Sequence, residues 1–239
     1  MARRTGKLKG NKTFLLVVEG PTEKNYFSDV KTNGHIPGVT VTPKVAKHSD
    51  LNTILKNALT EFETGVYDSV WCVFDRDTIV EKGMSEDLKK QYEKALSKGI
   101  HFADSMPAFE VWFLLHFAMP EQFYSSQDGV IKELRKYIPY YEKDQKWLSS
   151  VNLYTTLKPH FDEAMKKAAE LDKKKEDTGN ENTTISHVYK LSYCQLLWIE
   201  KKCLFHQAAF ICSPSTKIIF LATSSSCLNP LSRRQFFSA

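Results

Sequence analysis

Apolar runs that resemble buried strands recur through the first half of the chain. TFLLVV at 13–18 and SVWCVF at 69–74 are continuous apolar runs, rich in β-branched or aromatic residues, as is typical of strands covered on both faces. VTVTPKV at 39–45 alternates like a strand, and Pro43 places that strand at a sheet edge or marks its end. A further short strand is expected within GIHFADS at 99–105.

Helical patterns separate these strands. A helix is predicted over 21–32, a second one opens at Ser49 and Asp50, a charged one covers about 84–98, and an apolar one lies within 107–117. The second helix carries apolar residues at helical spacing: Leu51, Ile54, Leu55, Ala58, Leu59 and Phe62. This alternation favours an α/β fold, with a parallel sheet flanked by helices.

The second half of the chain has a different character. We expect the α/β core to cover 13–117 and a mainly helical C-terminal part of the same domain to cover 118–190, with an exposed helix that ends near Gly179. Residues 191–239 form an atypical tail, in which no Asp or Glu follows Glu200. The nearest approach to a zinc-binding spacing falls in this tail but is unconvincing: Cys203, His206 and Cys212.

Composition limits the class of protein. With 239 residues, 42% of them hydrophobic and 26% charged, the chain is long enough to bury a core. No window approaches the ~20 apolar residues of a membrane span, and the basic N-terminus lacks the apolar stretch of a secretory signal. Five cysteines, an odd number, favour reduced thiols over disulfides. We therefore expect a soluble cytoplasmic protein with no membrane partner.

The net charge of +5 is concentrated at the N-terminus. The residues that carry it are Arg3, Arg4, Lys7, Lys9 and Lys12. A flexible basic arm over 1–12 suits contact with a polyanion such as nucleic acid, because each phosphate contact releases counterions. The alternative is an arm that only improves solubility.

Acidic residues follow two of the predicted strands. Glu19 comes directly after the first strand, and Asp75 and Asp77 come at the end of the 69–74 strand. Ligands of parallel sheets gather at these carboxyl ends, and a set of oxygen ligands without His or Cys suits Mg²⁺ or Mn²⁺. On an extended segment Asp75 and Asp77 project to the same side, while Arg76 points elsewhere, toward a phosphate. Otherwise Glu19 caps a helix and the aspartates form a solvated turn.

Further polar residues lie close to these acids in the predicted fold. Glu23 is one helical turn past Glu19, where it adds a ligand or stabilises the helix dipole. Glu110 interrupts an apolar stretch, so it is either a site residue or an ion-paired core residue. Ser105 ends a predicted strand, where it touches substrate or caps the next helix. His116 is expected to be a core histidine.

Several segments together resemble the RloB family, whose members are encoded beside restriction systems and are related to phage abortive-infection components. The segments are VVEGPTEKNYF, VFDRDT, SMPAFEVWFLLHF, LYTTLKPHFDEAMKKAAEL and NTTISHVYKL, which span about 13–190. That family is similar to Toprim domains, in which a strand-end glutamate and an Asp-x-Asp motif surround Mg²⁺. The resemblance implies a Toprim-like core in which Glu19, Asp75 and Asp77 bind the metal and carry the catalysis. The tail departs from the family, whose chains end soon after VYKL.

The resemblance implies a divalent-metal-dependent nuclease that cleaves DNA or RNA in bacterial anti-phage defence, with other defence-system proteins as partners. VFDRDT also fits the Asp-x-Asp-x-Thr motif of haloacid-dehalogenase-type phosphatases, with Asp75 as the nucleophile and Asp77 as the acid/base. A third alternative is a non-catalytic subunit that binds nucleic acid or protein. The oligomeric state is left open.

Removing the basic arm tests its role in binding. Deletion of residues 1–12 is expected to weaken nucleic-acid binding and flatten its dependence on salt, because fewer counterions are released per complex. The measurement is the affinity at two salt concentrations. An unchanged salt dependence means that the arm only improves solubility.

Overall fold

A five-stranded sheet forms the centre of the chain. The computed structural model describes residues 11–34, 39–46, 50–180 and 183–191. Within them the strands lie in the order β2-β1-β3-β4-β5; the first four are parallel, and β5 runs antiparallel to β4. The predicted α/β class is therefore confirmed. The strands are β1 (Lys12–Val18), β2 (Val39–Val45), β3 (Ser69–Asp75), β4 (His101–Met106) and β5 (Ile185–Ser186).

Helices connect the strands and make up most of the C-terminal part, as predicted. The exception is β5, a two-residue strand near the end of the described chain that joins the sheet beside β4. The helices are α1 (Pro21–Gly34), α2 (Leu51–Glu63), α3 (Asp77–Lys82), α4 (Glu86–Ser97), α5 (Glu110–Leu115), α6 (Gln127–Leu134), α7 (Gln145–Ser150), α8 (Leu153–Leu157), α9 (Phe161–Thr178) and α10 (Val188–Leu191), with a 3₁₀ turn at Lys158–His160.

Both faces of the sheet are covered by helices. Successive side chains of β1 point to opposite faces, so Leu16 and Val18 pack with α1, α5 and the C-terminal helices. Leu15 and Val17 pack with α2 and α4 on the other face. This double burial explains why the β1 and β3 sequences are continuous apolar runs rather than alternating ones.

Local sequence signals act as predicted where the structure describes them. β2, with Pro43, is an edge strand that pairs with β1. Asp50 caps α2 by accepting the Thr53 N–H at 2.9 Å, whereas Ser49 lies outside the described residues. Gly179 ends α9 in the left-handed region, with φ of 62°, where glycine has no side chain to clash.

A polar network fixes the C-terminal part to the sheet. The two ring nitrogens of His187 each lie 2.9 Å from a carboxylate oxygen, one of Asp104 in β4 and one of Asp172 in α9. Tyr189 donates to Asp172 at 2.6 Å, and Lys190 lies 2.7 Å from it. Burial alone would raise the pKa of Asp172, but Lys190, Tyr189 and His187 hold it at about 2. The carboxylate is therefore ionised at neutral pH and tethers α9 to the end of the described chain.

Two of the segments considered above fall largely outside the described residues. They are most of the basic arm, with Arg3, Arg4, Lys7 and Lys9, and the tail with Cys203, His206 and Cys212. Lys12, grouped above with the arm, is the first residue of β1. Over the part of the chain that the structure describes, every helix is too short or too polar to traverse a bilayer.

The packing of β1 predicts a large cost for truncating its side chains. Leu16→Ala is expected to lower the free energy of unfolding by about 2–5 kcal/mol, because the fully buried side chain leaves a cavity among packed neighbours. Leu96→Ala is the matched control, since Leu96 is 51% exposed and its truncation should change stability by only about 0.5 kcal/mol. Urea denaturation measures both. Equal losses for the two variants would contradict the described core.

Candidate functional site

Glu19 and Asp75 meet at the carboxyl ends of two neighbouring strands. The Glu19 N–H extends the pairing of β1 with β3 by donating to the Val73 carbonyl at 3.1 Å. The Glu19 side chain turns toward β3, where its Oε2 accepts the Asp75 N–H at 2.9 Å. Asp75 Oδ1 in turn accepts the Phe109 N–H at 2.8 Å. The predicted proximity of these two acids is therefore present, although they are far apart in sequence.

Glu23 brings a third carboxylate from the first turn of α1. Its Oε2 accepts the Gly20 N–H at 3.1 Å, a capping interaction that satisfies a backbone donor at the helix start. A side chain on residue 20 would place its Cβ 3.2 Å from that oxygen, so glycine makes room for the cap. Glu23 is nevertheless only 4% exposed, which is unusual for a carboxylate with a single capping bond.

Glu110 opens α5 and is completely buried. Its Oε1 accepts the Tyr141 hydroxyl at 2.8 Å and lies 3.2 Å from Lys143 Nζ, while its Oε2 accepts a bond from Gln127 at 3.0 Å. The residue is thus ion-paired, and it also acts electrostatically on Glu23 and Asp75. Its three partners come from α6 and from the segment between α6 and α7.

Aromatic packing holds the helices that carry these acids. The Trp112 indole N–H in α5 donates to the Tyr26 hydroxyl in α1 at 3.0 Å, and both groups are buried. The Tyr26 ring meets the Phe109 and Phe113 rings with centroids 5.9 and 5.4 Å apart. The relative positions of Glu23 and Glu110 are therefore set by a rigid contact between α1 and α5.

Burial and mutual repulsion raise the pKa of three of these carboxyl groups. Burial raises the pKa of Asp75 well above its usual range, and the charges of Glu23, Glu19 and Glu110 raise it further. The pKa of Glu23 is raised to about 7, mainly by burial and then by Glu110 and Glu19. Burial also raises the pKa of Glu19, against the stabilising bond from Asp75, and Asp77 adds to the rise. These groups therefore keep their protons to a higher pH than exposed carboxyl groups do.

Lys143 brings positive charge into the cluster of acids. Burial alone would lower the pKa of its ammonium group, but Glu110 and Asp75 outweigh that effect and hold the pKa above its ordinary value. The same charge stabilises the ionised forms of Glu19 and Glu23. No sequence pattern predicts a role here for Lys143, Tyr141 and Gln127, because they lie in segments without a periodic signal.

The arrangement of Asp75, Arg76 and Asp77 differs from the predicted extended segment. Arg76 has helical backbone angles of φ −93° and ψ −8°, and α3 begins at Asp77. The physical reason is that an aspartate stabilises a helix start, where Asp77 accepts the N–H and hydroxyl of Thr78. Arg76 Nε lies 3.5 Å from Asp104 Oδ2. A turn therefore separates the two aspartates, and Asp77 acts on the cluster through its charge on Glu19.

Ser105 and His116 both have structural contacts. The Ser105 hydroxyl is buried in β4 and shares a 2.9 Å hydrogen bond with Ser186 of β5, so it joins two strands and does not cap a helix. His116 Nδ1 lies 2.8 Å from the Trp112 carbonyl. Burial lowers the pKa of His116 to about 4, so the ring is neutral at neutral pH, consistent with a core histidine.

Three of these acids each keep one carboxylate oxygen available for a ligand. Among the described residues, Glu19 Oε1, Asp75 Oδ2 and Glu23 Oε1 make no hydrogen bond. In the same part of the chain, no three His, Cys, Asp or Glu side chains form a group that could hold a metal ion as they stand. Glu19 and Asp75, joined by the hydrogen bond from the Asp75 N–H to the Glu19 carboxylate, remain as a pair of acids, each with one carboxylate oxygen that has no hydrogen bond among the described residues.

Comparison with protein families decides the relationship of the chain. A family model described as RloB-like protein matches residues 14–192. The chain belongs to the RloB family. The match runs from β1 to just beyond α10, so the sheet and the helical C-terminal part both belong to the family unit. Membership of the RloB family associates the chain with restriction-linked or defence-related proteins. Neither a curated protein nor a solved structure matches it.

The raised pKa of Glu23 predicts a pH-dependent stability. Between its ordinary pKa of 4.5 and the folded value of about 7, the folded state binds more protons than the unfolded state. The free energy of unfolding therefore falls as pH rises through this window, by up to about 3 kcal/mol. Glu23→Gln keeps an acceptor for the Gly20 N–H but removes the buried charge. It should be more stable than the wild type above pH 7 and have a flatter pH profile.

Urea denaturation of both proteins from pH 5 to pH 8 measures this difference. Glu93→Gln is the matched control, because Glu93 is exposed on α4, away from the cluster of acids. Its profile should follow that of the wild type. If Glu23→Gln shows the same decline with pH as the wild type, Glu23 does not carry the buried proton.

Proposed function

We propose that this RloB-family chain is a divalent-metal-dependent nuclease that hydrolyses phosphodiesters of DNA or RNA in anti-phage defence. The observation that supports this function best is the contact between Glu19 and Asp75 at the carboxyl ends of β1 and β3, where ligands of parallel sheets gather. Raised pKa values of Glu19, Glu23 and Asp75 mark the same place, and perturbed groups cluster at functional sites.

The donor atoms fit Mg²⁺ or Mn²⁺. Magnesium is commonly held by one or two carboxylates, together with waters and substrate phosphates, so a pair of acids is sufficient. Glu19 and Asp75 each have an oxygen available, and Asp77 is the third acid of the proposed set. When bound, the cation supplies Lewis-acid activation of the phosphodiester. The hydrogen bond between a strand-end glutamate and an aspartate of the neighbouring strand supports a Toprim-like site.

The surrounding residues provide the rest of the chemistry. Glu23 has a pKa of about 7, so its carboxyl group holds or releases a proton near neutral pH, as a general acid or base must. Lys143 places an ammonium group beside the acids, where it can neutralise phosphate oxygens in a partly buried environment. Glu110 acts through Lys143, because it fixes that ammonium group at 3.2 Å.

Substitution of Asp75 tests the chemistry. In the presence of Mg²⁺ or Mn²⁺, the wild type should cleave a panel of defined DNA and RNA molecules, and chelation should abolish cleavage. Asp75→Asn should lower the cleavage rate by roughly two orders of magnitude or more, because the amide removes a charged ligand. Asp87→Asn is the matched control, since Asp87 is exposed at the start of α4. It should retain the wild-type rate.

A second measurement separates metal binding from turnover. Mg²⁺ should raise the melting temperature of the wild type, because a ligand that binds the folded state stabilises it, and should raise that of Glu19→Gln less. A covalent aspartyl-phosphate on Asp75 without nucleic-acid cleavage would instead identify a phosphatase of the haloacid-dehalogenase type. Absence of cleavage, of phosphoenzyme and of metal-induced stabilisation would leave a binding subunit.

A further inference from the structure

A groove lies beside the cluster of acids, between α6 and the segment that follows it. Its volume is about 580 Å³, the size of a pocket for a small molecule or for part of a polymer. We call it the α6 groove; it is lined by Gln127, Asp128, Ile131, Lys132, Arg135, Glu142 and Lys143.

The α6 groove is joined directly to the cluster of acids. Gln127 and Lys143 both line the groove, and both contact the buried carboxylate of Glu110. The ammonium group of Lys143 also acts on Glu19 and Asp75. A phosphate that reaches the inner end of the groove therefore arrives at Lys143, next to the acids.

The outer part of the α6 groove presents cations with a fixed arrangement. Lys132 and Arg135 are three residues apart at the end of α6, so they lie on one side of the helix. Arg135 Nε donates to the Tyr141 carbonyl at 3.0 Å, which holds the guanidinium in place. Lys132 is exposed and has no ion pair among the described residues. Asp128 and Glu142 also line the groove and offset part of its positive charge. The positions of the individual cations therefore matter more than the net charge of the groove.

An exposed aromatic residue, Tyr140, lies two positions before Glu142, which lines the α6 groove. Tyr140 is 84% exposed, whereas the adjacent Tyr141 is buried and bonds to Glu110 and Arg135. Proteins that bind single-stranded nucleic acids combine exposed aromatic rings with Lys or Arg side chains. The bases stack on the rings, and the phosphates bind the cations. Paired bases of a duplex do not offer a free base to such a ring.

We propose that the α6 groove binds the backbone of a single nucleic-acid strand and leads it to the acids, with the exposed ring of Tyr140, in the segment that borders the groove, as a stacking platform. This inference rests on the proposed function for its substrate class and adds the form of that substrate, a single strand. Lys132 and Arg135 are assigned to phosphates away from the reacting bond, and Lys143 to the phosphate next to it.

Binding without turnover tests the α6 groove. The full chain, in EDTA, is titrated into fluorescein-labelled single-stranded DNA and RNA of one mixed sequence and into the matching duplex, at two salt concentrations. Lys132→Ala should weaken single-strand binding several-fold and reduce the slope of log affinity against log salt by about 0.7, because one phosphate contact is lost. Tyr140→Ala should weaken binding by about tenfold with the slope unchanged, since the ring has no charge.

Two controls accompany these variants. Lys90→Ala removes an exposed lysine from α4 on the opposite face of the sheet and should bind like the wild type. Tyr140→Phe keeps the ring and should also bind like the wild type. The inference is overturned if Lys132→Ala and Tyr140→Ala both retain wild-type affinity, if the duplex binds more tightly than the single strand, or if a nucleoside monophosphate competes as well as the oligonucleotide.

The outcome is separable from that of the proposed function. Loss of binding in both variants, by a chain that cleaves nothing, would support the groove and refute the nuclease. Cleavage by the wild type, with unchanged affinity in both variants, would support the nuclease and refute the groove.

Discussion

The main physical constraint on this fold is the burial of acidic side chains beside the carboxyl ends of its central strands. Burial disfavours the ionised forms of Glu19, Glu23 and Asp75, and the charge of Glu110 acts on the latter two. The chain offsets this cost with backbone N–H donors and with the ammonium group of Lys143. A core that only needed stability would place apolar residues at these positions, since buried charges rarely improve stability. Under the proposed function, these acids are kept for their chemistry.

This constraint makes the helical C-terminal part necessary to the sheet. Glu110 in α5 obtains its hydroxyl, amide and ammonium partners from the stretch 127–143. Truncation of the chain before that stretch would therefore leave a buried carboxylate without these partners. Farther along, His187 bridges Asp104 of β4 to Asp172 of α9 and holds the end of the described chain against the sheet. The second part therefore completes the electrostatics of the first.

Features set by local or regular interactions could be predicted from the sequence, whereas contacts between residues distant in sequence could not. The strands of the first half and its helices other than α3 were predictable, because β1 and β3 are apolar runs covered on both faces and α2 carries a local cap at Asp50. The proximity of Glu19 and Asp75 could be predicted, because the carboxyl ends of neighbouring parallel strands lie at the same edge of a sheet. The turn at Arg76 was not predicted, because Asp77 fits an extended Asp-x-Asp segment as well as the start of a helix. Lys143 was missed because its role depends on a contact 33 positions away in sequence, which no local pattern records.

Under the proposed function, the placement of charge itself explains a requirement for a divalent cation. An anionic strand that follows the cations of the α6 groove is attracted as far as Lys143, and beyond it faces Glu19 and Asp75. Like charges at short range in a partly buried site repel strongly, because little solvent is present to screen them. Lys143 lies 3.2 Å from Glu110, so a phosphate that it binds shares its charge with that carboxylate. A bound Mg²⁺ or Mn²⁺ would reverse this balance, so the acids would exclude a phosphate in its absence and bind one in its presence.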